Sequence, residues 1–296
     1  MKIKIKQVDA FTNQVFGGNP AGVVTCADSL TNAEMQQIAK EMNLSETAFV
    51  SQSDQADFKV QFFTPRFEVN LCGHATIGTF STLYEEGRLD AKKSVFYQET
   101  KAGVLPVEVT EQNGKKVFMM TQATPRFEAV EINKRLAADM LGLSVDDLLD
   151  TPIQKVSTGI WWLVYGVKSL DKLSNAKPNL ALVEEISKKH HLIGITPFCL
   201  ETFEKENSYH MRAIAPIVGV AEDPVCGTGN GCVASYIVHH NLIEQQNVIT
   251  LRGEEGMEVN RPGCVYVNIH KKGSEISTVK VGGQAITVLE GEIRYK

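Results

Sequence analysis

Residues Val69–Gly78 read VNLCGHATIG, and Glu222–Cys232 read EDPVCGTGNGC. Each stretch runs from a cysteine through a glycine into a short polar segment that predicts the start of a helix. The first N–H groups of a helix lack internal partners and carry a partial positive charge, so they attract anions. A glycine there lets a ligand approach the backbone closely. Gly73 and His74 would supply such donors at the first turn, and Gly227 and Thr228 at the second. If the two turns face each other, they can hold a carboxylate and stabilise charge developing on its α-carbon, as an oxyanion hole does for an enolate. A cysteine at a helix N-terminus also has a lowered pKa. Cys72 and Cys226 are therefore candidates to move protons on opposite faces of one carbon. The plainer alternative is two well-formed helix starts with inert, buried thiols.

Working outward, the surroundings of the two turns echo one another. FKVQFFTP (58–65) is answered by YHMRAIAP (209–216), offset by 151 residues, and QVDAFTNQVFGGNPAGVV (7–24) by KVSTGIWWLVYGV (155–167), offset by 148. Two similar offsets near half the chain length argue for a duplicated domain. The expected division is 1–122, with 278–296 a candidate to return to it, and 123–277. In the first half, strands are expected at Ile3–Asp9, Ala21–Thr25, Thr47–Ser51 and Phe58–Thr64. A helix over His74–Glu86 follows, with Ile77, Phe80, Leu83 and Tyr84 on one apolar face and Gly87 as its stop. Strands at Ser94–Gln98, Val104–Thr110 and Lys115–Thr121 complete the half, with Asn113-Gly114 as a hairpin signal. The second half repeats the scheme around a helix at Thr228–His239, with strands near Asn247–Arg252, Cys264–His270 and Ser277–Gly282. Shorter helices at Ala33–Met42, Ile132–Leu141 and Leu180–Lys188 would pack outside. Strands without regular βαβ alternation, each set enclosing one helix, define an α+β protein of two similar domains.

Bulk composition narrows the function. The 296 residues are 43% hydrophobic and 22% charged with a net charge of -5, which is ordinary for a soluble globular chain. No basic stripe points to nucleic acid, and no apolar run reaches membrane-spanning length. MKIKIKQVDAF alternates Lys and Ile as a half-exposed strand does, unlike a signal peptide. Six cysteines without a secretory signal read as reduced thiols in a cytoplasm, with Cys26, Cys199 and Cys264 as small buried apolar residues. CGTGNG lacks the spacing of a dinucleotide fingerprint, and no G-K-[ST] marks a P-loop. Cys72 and His74 could ligate a metal, but no C-x-x-C or H-x-x-x-H completes a set, so no metal is expected. His190-His191 and His239-His240 read as C-terminal partners of helix dipoles, and Trp161-Trp162 as core and interface. Arg66 and Arg212, near the turns, could bind a second carboxylate, although surface roles are the simpler expectation.

Two acidic residues remain. Glu46, in NLSETAFV (43–50), is a lone carboxylate just before an apolar run, and Asp223 opens the Asp-Pro of EDPVCG. From the residues alone, Glu46 reads as a cap or a solvent-facing charge and Asp223 as a turn starter.

Taken together and in order, VDAFTNQVFGGNPAGVV, MNLSETAFV, FFTPRFEVNLCGHATIGT and EDPVCGTGNG resemble the phenazine-biosynthesis-like isomerase family, whose fold is that of diaminopimelate epimerase. The resemblance covers essentially the whole chain. It implies two similar domains, each a barrel-like, mostly antiparallel sheet around a central helix, with the substrate between them. It also implies a cofactor-free isomerase of a small carboxylate that is usually a homodimer. The glutamate of the S-E-T-A-F motif, the acid/base of the phenazine enzymes, falls on Glu46. The assisting histidine and aspartate fall on His74 and Asp223, and the carboxylate grip on the backbone of Gly73, Gly227 and Thr228. Asn19, Cys72 and Cys226 complete the expected substrate surroundings. One departure matters: where many family members carry threonine at the second turn, this chain carries Cys226, as the two-cysteine epimerases do. The resemblance therefore leaves two chemistries open, a Glu46-driven isomerase and a Cys72/Cys226 racemase or epimerase, beside a non-catalytic ligand-binding dimer.

Overall fold

The computed structural model describes residues 1–112 and 114–295. The chain divides into two compact units, Met1–Met120 with Gly282–Lys296, and Thr121–Val281. The sequence reading set these boundaries at 122 and 278.

The first unit begins with strands β1 (Lys2–Ala10) and β2 (Asn19–Val24), helix α1 (Asn32–Met42), and strands β3 (Glu46–Ser51), β4 (Phe58–Phe63) and β5 (Glu68–Val69). Helix α2 (Gly73–Glu85) and strands β6 (Val95–Thr100), β7 (Gly103–Gln112) and β8 (Lys115–Thr121) follow. In the second unit come β9 (Arg126–Ala129), α3 (Lys134–Leu141), β10 (Gln154–Ser157), β11 (Trp161–Gly166), α4 (Leu170–Asn175), α5 (Leu180–His190) and β12 (Gly194–Cys199). Strands β13 (Tyr209–Met211), β14 (Ala213–Ala215) and β15 (Val220–Asp223) lead into α6 (Gly227–His239), β16 (Val248–Glu255), β17 (Gly263–Lys272) and β18 (Glu275–Gly283). The last strand, β19 (Ala285–Arg294), returns to pair antiparallel with β1 in the first unit. Asn113 lies outside the described residues, while β7 and β8 on either side of it pair antiparallel with Gln112 opposite Lys115.

The order of pairings repeats. In the first unit β1–β2 is antiparallel, β2–β3 parallel, β3–β4 antiparallel, β4–β6 parallel and β6–β7 antiparallel. In the second, β10–β11, β11–β12, β12–β13, β13–β16 and β16–β17 run through the same alternation. Each parallel step needs a crossover, and the first in either unit is made through helix: α1 in one, α4 and α5 in the other.

The central helices depart from the expected one-faced pattern. Every residue of α2 from Ala75 to Leu83 is buried, whereas Tyr84 is exposed. A helix enclosed on all sides needs no polar stripe, but its own polar groups must be satisfied. Thr76, Thr79 and Thr82 do this by returning their hydroxyls to the carbonyls four residues back, at 2.8, 2.7 and 2.9 Å. In α6, Gly229 to Val238 are buried, and Ser235 repeats the device onto Gly231 at 2.7 Å. Phe80 anchors α2 edge-on to Phe58, with ring centroids 6.2 Å apart, and against Phe96 at 6.4 Å.

Truncating such a ring leaves a cavity that an enclosed helix cannot collapse into. Phe80→Ala should cost about 3–5 kcal/mol, measured by guanidinium unfolding. A loss under about 1 kcal/mol would mean that α2 is not held on all sides.

Candidate active site

Strand β3 positions the carboxylate. Its alternate residues Ala48 and Val50 pack in one cluster with Cys72, Ala75 and Leu83 of the α2 segment. Phe49, pointing the other way, packs with Met35 and Ile38 of α1. Glu46 lies two residues before Ala48, so strand alternation turns it to the α2 side. It pairs in register with Ala21 of β2. Asn19, two residues before Ala21, is buried on the same strand face, and the carbonyl of Pro20 accepts from Ser45 Oγ at 3.4 Å. The loop before Asn19 is held by Gly18, whose φ of +55° and near contact with the Ala10 carbonyl leave no room for a side chain.

At the start of α2, Cys72 occupies the N-cap with extended backbone and makes no side-chain cap bond. Gly73 follows, and a Cβ there would meet nothing within 4 Å. The next residue, His74, joins the groups together. Its Nε2 lies 3.2 Å from Glu46 Oε2 and 3.2 Å from Ser45 Oγ, while Cys72 Sγ is 3.4 Å from Nδ1. The Glu46 and His74 side chains keep 19% and 12% of their surface exposed, enough to be reached from outside. Glu46, His74, Cys72 and Gly73 thus lie together, and Glu46 is neither a cap nor a free surface charge. Ligand atoms of Glu46, Cys72 and His74 all lie within 4.8 Å of one another, so these three could hold a metal ion.

The second turn is built differently. Cys226 caps α6 with its sulfur, which accepts from the Gly229 N–H at 3.4 Å and lies 3.5 Å from Thr228 Oγ1. Its own N–H donates to Glu255 Oε2 at 2.9 Å, and Asn230 Nδ2 donates to the same oxygen at 2.9 Å. Glu255 is 1% exposed, and its other oxygen has no hydrogen-bond partner among the described residues. Burial, then the charge of Asp223, pushes the Glu255 carboxyl well above its usual range, against the bonds from Cys226 and Asn230. Burial, Asp223 and Glu255, in that order, also push the Cys226 thiol well up. The expected lowering of the Cys226 pKa is therefore reversed: desolvation and two acids outweigh the helix start. Asp223 ends β15 opposite Ala213 and, with Gly227 and Thr228, belongs to this second cluster.

The repeated ladders show which position in the second unit corresponds to Glu46. Val8 pairs with Ala21 and Ala21 with Glu46; likewise Val156 pairs with Trp162 and Trp162 with Gly194. Gly194 thus stands where Glu46 does, and Trp162 where Ala21 does. A Cβ on Gly194 would come within 2.9 Å of the Trp162 ring. The buried indole in turn donates to Thr228 Oγ1 at 3.4 Å. The second unit has no carboxylate at this position.

Other expectations fare variously. Arg212 is not a surface residue: it is 4% exposed, grips Glu222 through two 2.8 Å bonds, and donates to the carbonyls of Leu173 and Ala176. Its charge is already neutralised within the chain. Arg66 is exposed. Cys199 is buried, but Cys264 is only partly so and Cys26 is exposed. His190 and His239 do end α5 and α6. Trp162 is core, whereas Trp161 is half-buried beneath Arg126 and Lys155. Ser45, Asn230 and Glu255 were not anticipated. The Glu254-Glu255 pair at the end of an apolar strand was the available signal for the last of these. No helix among the described residues is long and apolar enough to cross a membrane.

Two repeated α+β units with paired Cys-Gly helix starts define a protein of the epimerase-like isomerase class, and solved structures agree. The chain matches a Bacillus anthracis phenazine biosynthesis protein of the PhzF family with a TM-score of 0.93 and 36% identity, covering 99% of both chains. A hydroxyproline epimerase from Agrobacterium vitis shares the fold at a TM-score of 0.62 and 12% identity, with 99% and 91% covered. The family model for phenazine biosynthesis-like proteins, PhzC-PhzF, matches residues 8–291. The chain belongs to this family, and it is an isomerase. An uncharacterized isomerase of Clostridium acetobutylicum is 37% identical over 99% of this chain and 98% of its own, and one of Bacillus subtilis is 35% identical over 96% of each.

An acid with a raised folded-state pKa adds stability that is whole below its ordinary value, here 4.5, and is lost as pH rises through the raised value. Glu255→Gln stays neutral while keeping both hydrogen bonds to one oxygen. Its stability relative to wild type should therefore climb as pH rises above about 4.5, the ordinary glutamate value, read from urea midpoints. A difference that stays flat with pH would show that Glu255 titrates as an ordinary glutamate.

Proposed function

We propose that the protein isomerises a small carboxylate by a proton shift carried by Glu46. The observation that supports this most directly is the Glu46–His74 contact at 3.2 Å beside the uncapped start of α2. In this reading the substrate carboxylate, or the charge that develops next to it, is met by the backbone N–H groups of Gly73 and His74. His74 donates from Nε2 to one Glu46 oxygen and fixes the carboxylate, leaving the second oxygen to accept a proton from a carbon beside an activating group. Cys72, facing Nδ1, favours that tautomer by donating S–H. The protonated Glu46 then returns the proton to another carbon on the same face, so one base suffices. No resident metal or cofactor enters this scheme, and the conjugate base is stabilised by the helix start alone.

The two-thiol alternative needs Cys226 as a working thiolate. Its burial beside Asp223 and Glu255 raises the cost of that anion, and its sulfur is already committed to the Gly229 N–H. The glycine at the Glu46-equivalent position favours a single carboxylate base.

Small carboxylic acids with an activated C–H, incubated in D2O and followed by proton NMR, test the proposal. For any acid that the wild type turns over, Glu46→Gln should lower exchange by about 10²–10⁴-fold, while Cys226→Thr should retain it. Exchange lost in Cys226→Thr and kept in Glu46→Gln would replace the glutamate mechanism with the thiol one.

A further inference from the structure

The structure assigns a second capacity to the Glu46–His74–Cys72 cluster: we infer that it is a three-ligand site for one soft divalent cation, of the Zn2+ class, whose binding blocks the isomerase. The sequence argued against a metal here because no second cysteine or histidine stands at ligand spacing. The fold supplies the third ligand from a different element, β3, which sequence spacing around Cys72 cannot show.

The geometry fits. A tetrahedral Zn2+ with bonds of about 2.3 Å to sulfur and about 2.0–2.2 Å to nitrogen and oxygen holds its ligand atoms roughly 3.3–3.7 Å apart. His74 Nε2 lies 3.2 Å from Glu46 Oε2 and 3.9 Å from Cys72 Sγ, and all three sets of ligand atoms fall within 4.8 Å. Small side-chain rotations therefore bring thiolate, imidazole and carboxylate to bonding distance without moving the backbone. The thiol selects a soft or borderline ion over Mg2+ or Ca2+, which prefer an all-oxygen shell. Nothing lies within 4 Å of a Cβ on Gly73, which leaves room beside the cluster for a water as the fourth ligand. Among the ion pairs of Glu46, the only partner is His74, so no lysine or arginine in the described residues must be displaced. Binding takes the Glu46 lone pair that the proposed reaction needs, so Zn2+ and substrate exclude one another.

The inhibition rests on Glu46 being the base, whereas the binding does not, and the two are measured separately. Zn2+ is titrated into the full chain against a chromophoric chelator, with Co2+ spectra as a second probe of thiolate ligation. One ion per chain is expected at micromolar Kd, weakened at least about tenfold in Cys72→Ser, His74→Asn and Glu46→Gln, and unchanged in Cys26→Ser. Circular dichroism of each variant confirms folding. No stoichiometric binding, or binding that survives Cys72→Ser, overturns the site. If Zn2+ binds as described but leaves wild-type turnover unchanged, the inhibitory role is overturned while the site stands.

Discussion

The parallel pairing of β2 with β3 is the constraint on which the site depends. It places Ala21 opposite Glu46, and strand alternation then sends Glu46 and Ala48 to the α2 side while Phe49 goes to α1. A slip of one residue would exchange these faces, burying Glu46 against α1 and exposing Phe49 to the helix start. The apolar contacts of Phe49 and Val50 make that slip costly, so core packing and the direction of Glu46 are fixed by the same register. The buried Thr47 and the Gly22 beside it, where a Cβ would come within 2.7 Å of the threonine hydroxyl, tighten the same register from the opposite face.

Duplication explains the shape of each unit, and divergence sets the two helix starts apart. Both units enclose a helix that begins with Cys-Gly and satisfy its buried hydroxyls in the same way. Around the first start the sequence placed a carboxylate, a serine and an imidazole. Around the second it placed a tryptophan above a glycine, and a buried glutamate bound to the Cys226 N–H. The first start is open, while the second is braced by its own side chains. In the proposed mechanism, a proton shift on one face needs only the single carboxylate of the first unit.

Much of this was legible in the sequence. The two Cys-Gly turns, the central helices and the repeat all follow from short local patterns, because helix starts and strand alternation are set by neighbours in sequence. The partnership of Glu46 with His74 was visible only through the family resemblance, since its meaning comes from a pairing between strands and a helix 28 residues apart in sequence. Cys226 illustrates the opposite limit. A helix start lowers a thiol pKa, but the acid that reverses this, Glu255, lies 29 residues further on and reveals itself only when folded. Arg212 failed in the same way: a buried charge whose partner stands ten residues away reads locally as surface. Tyr84, taken for core by helical spacing, is exposed because the enclosing sheet buries α2 only as far as Leu83.

In the proposed reaction, Glu46 and the start of α2 act on one substrate carboxylate. A crystal structure of the protein soaked with small carboxylic acids tests it most directly. The account predicts a carboxylate on the backbone N–H groups of Gly73 and His74, with its carbon chain within reach of the free Glu46 oxygen. A carboxylate bound elsewhere, with Glu46 turned away from it, would contradict the account.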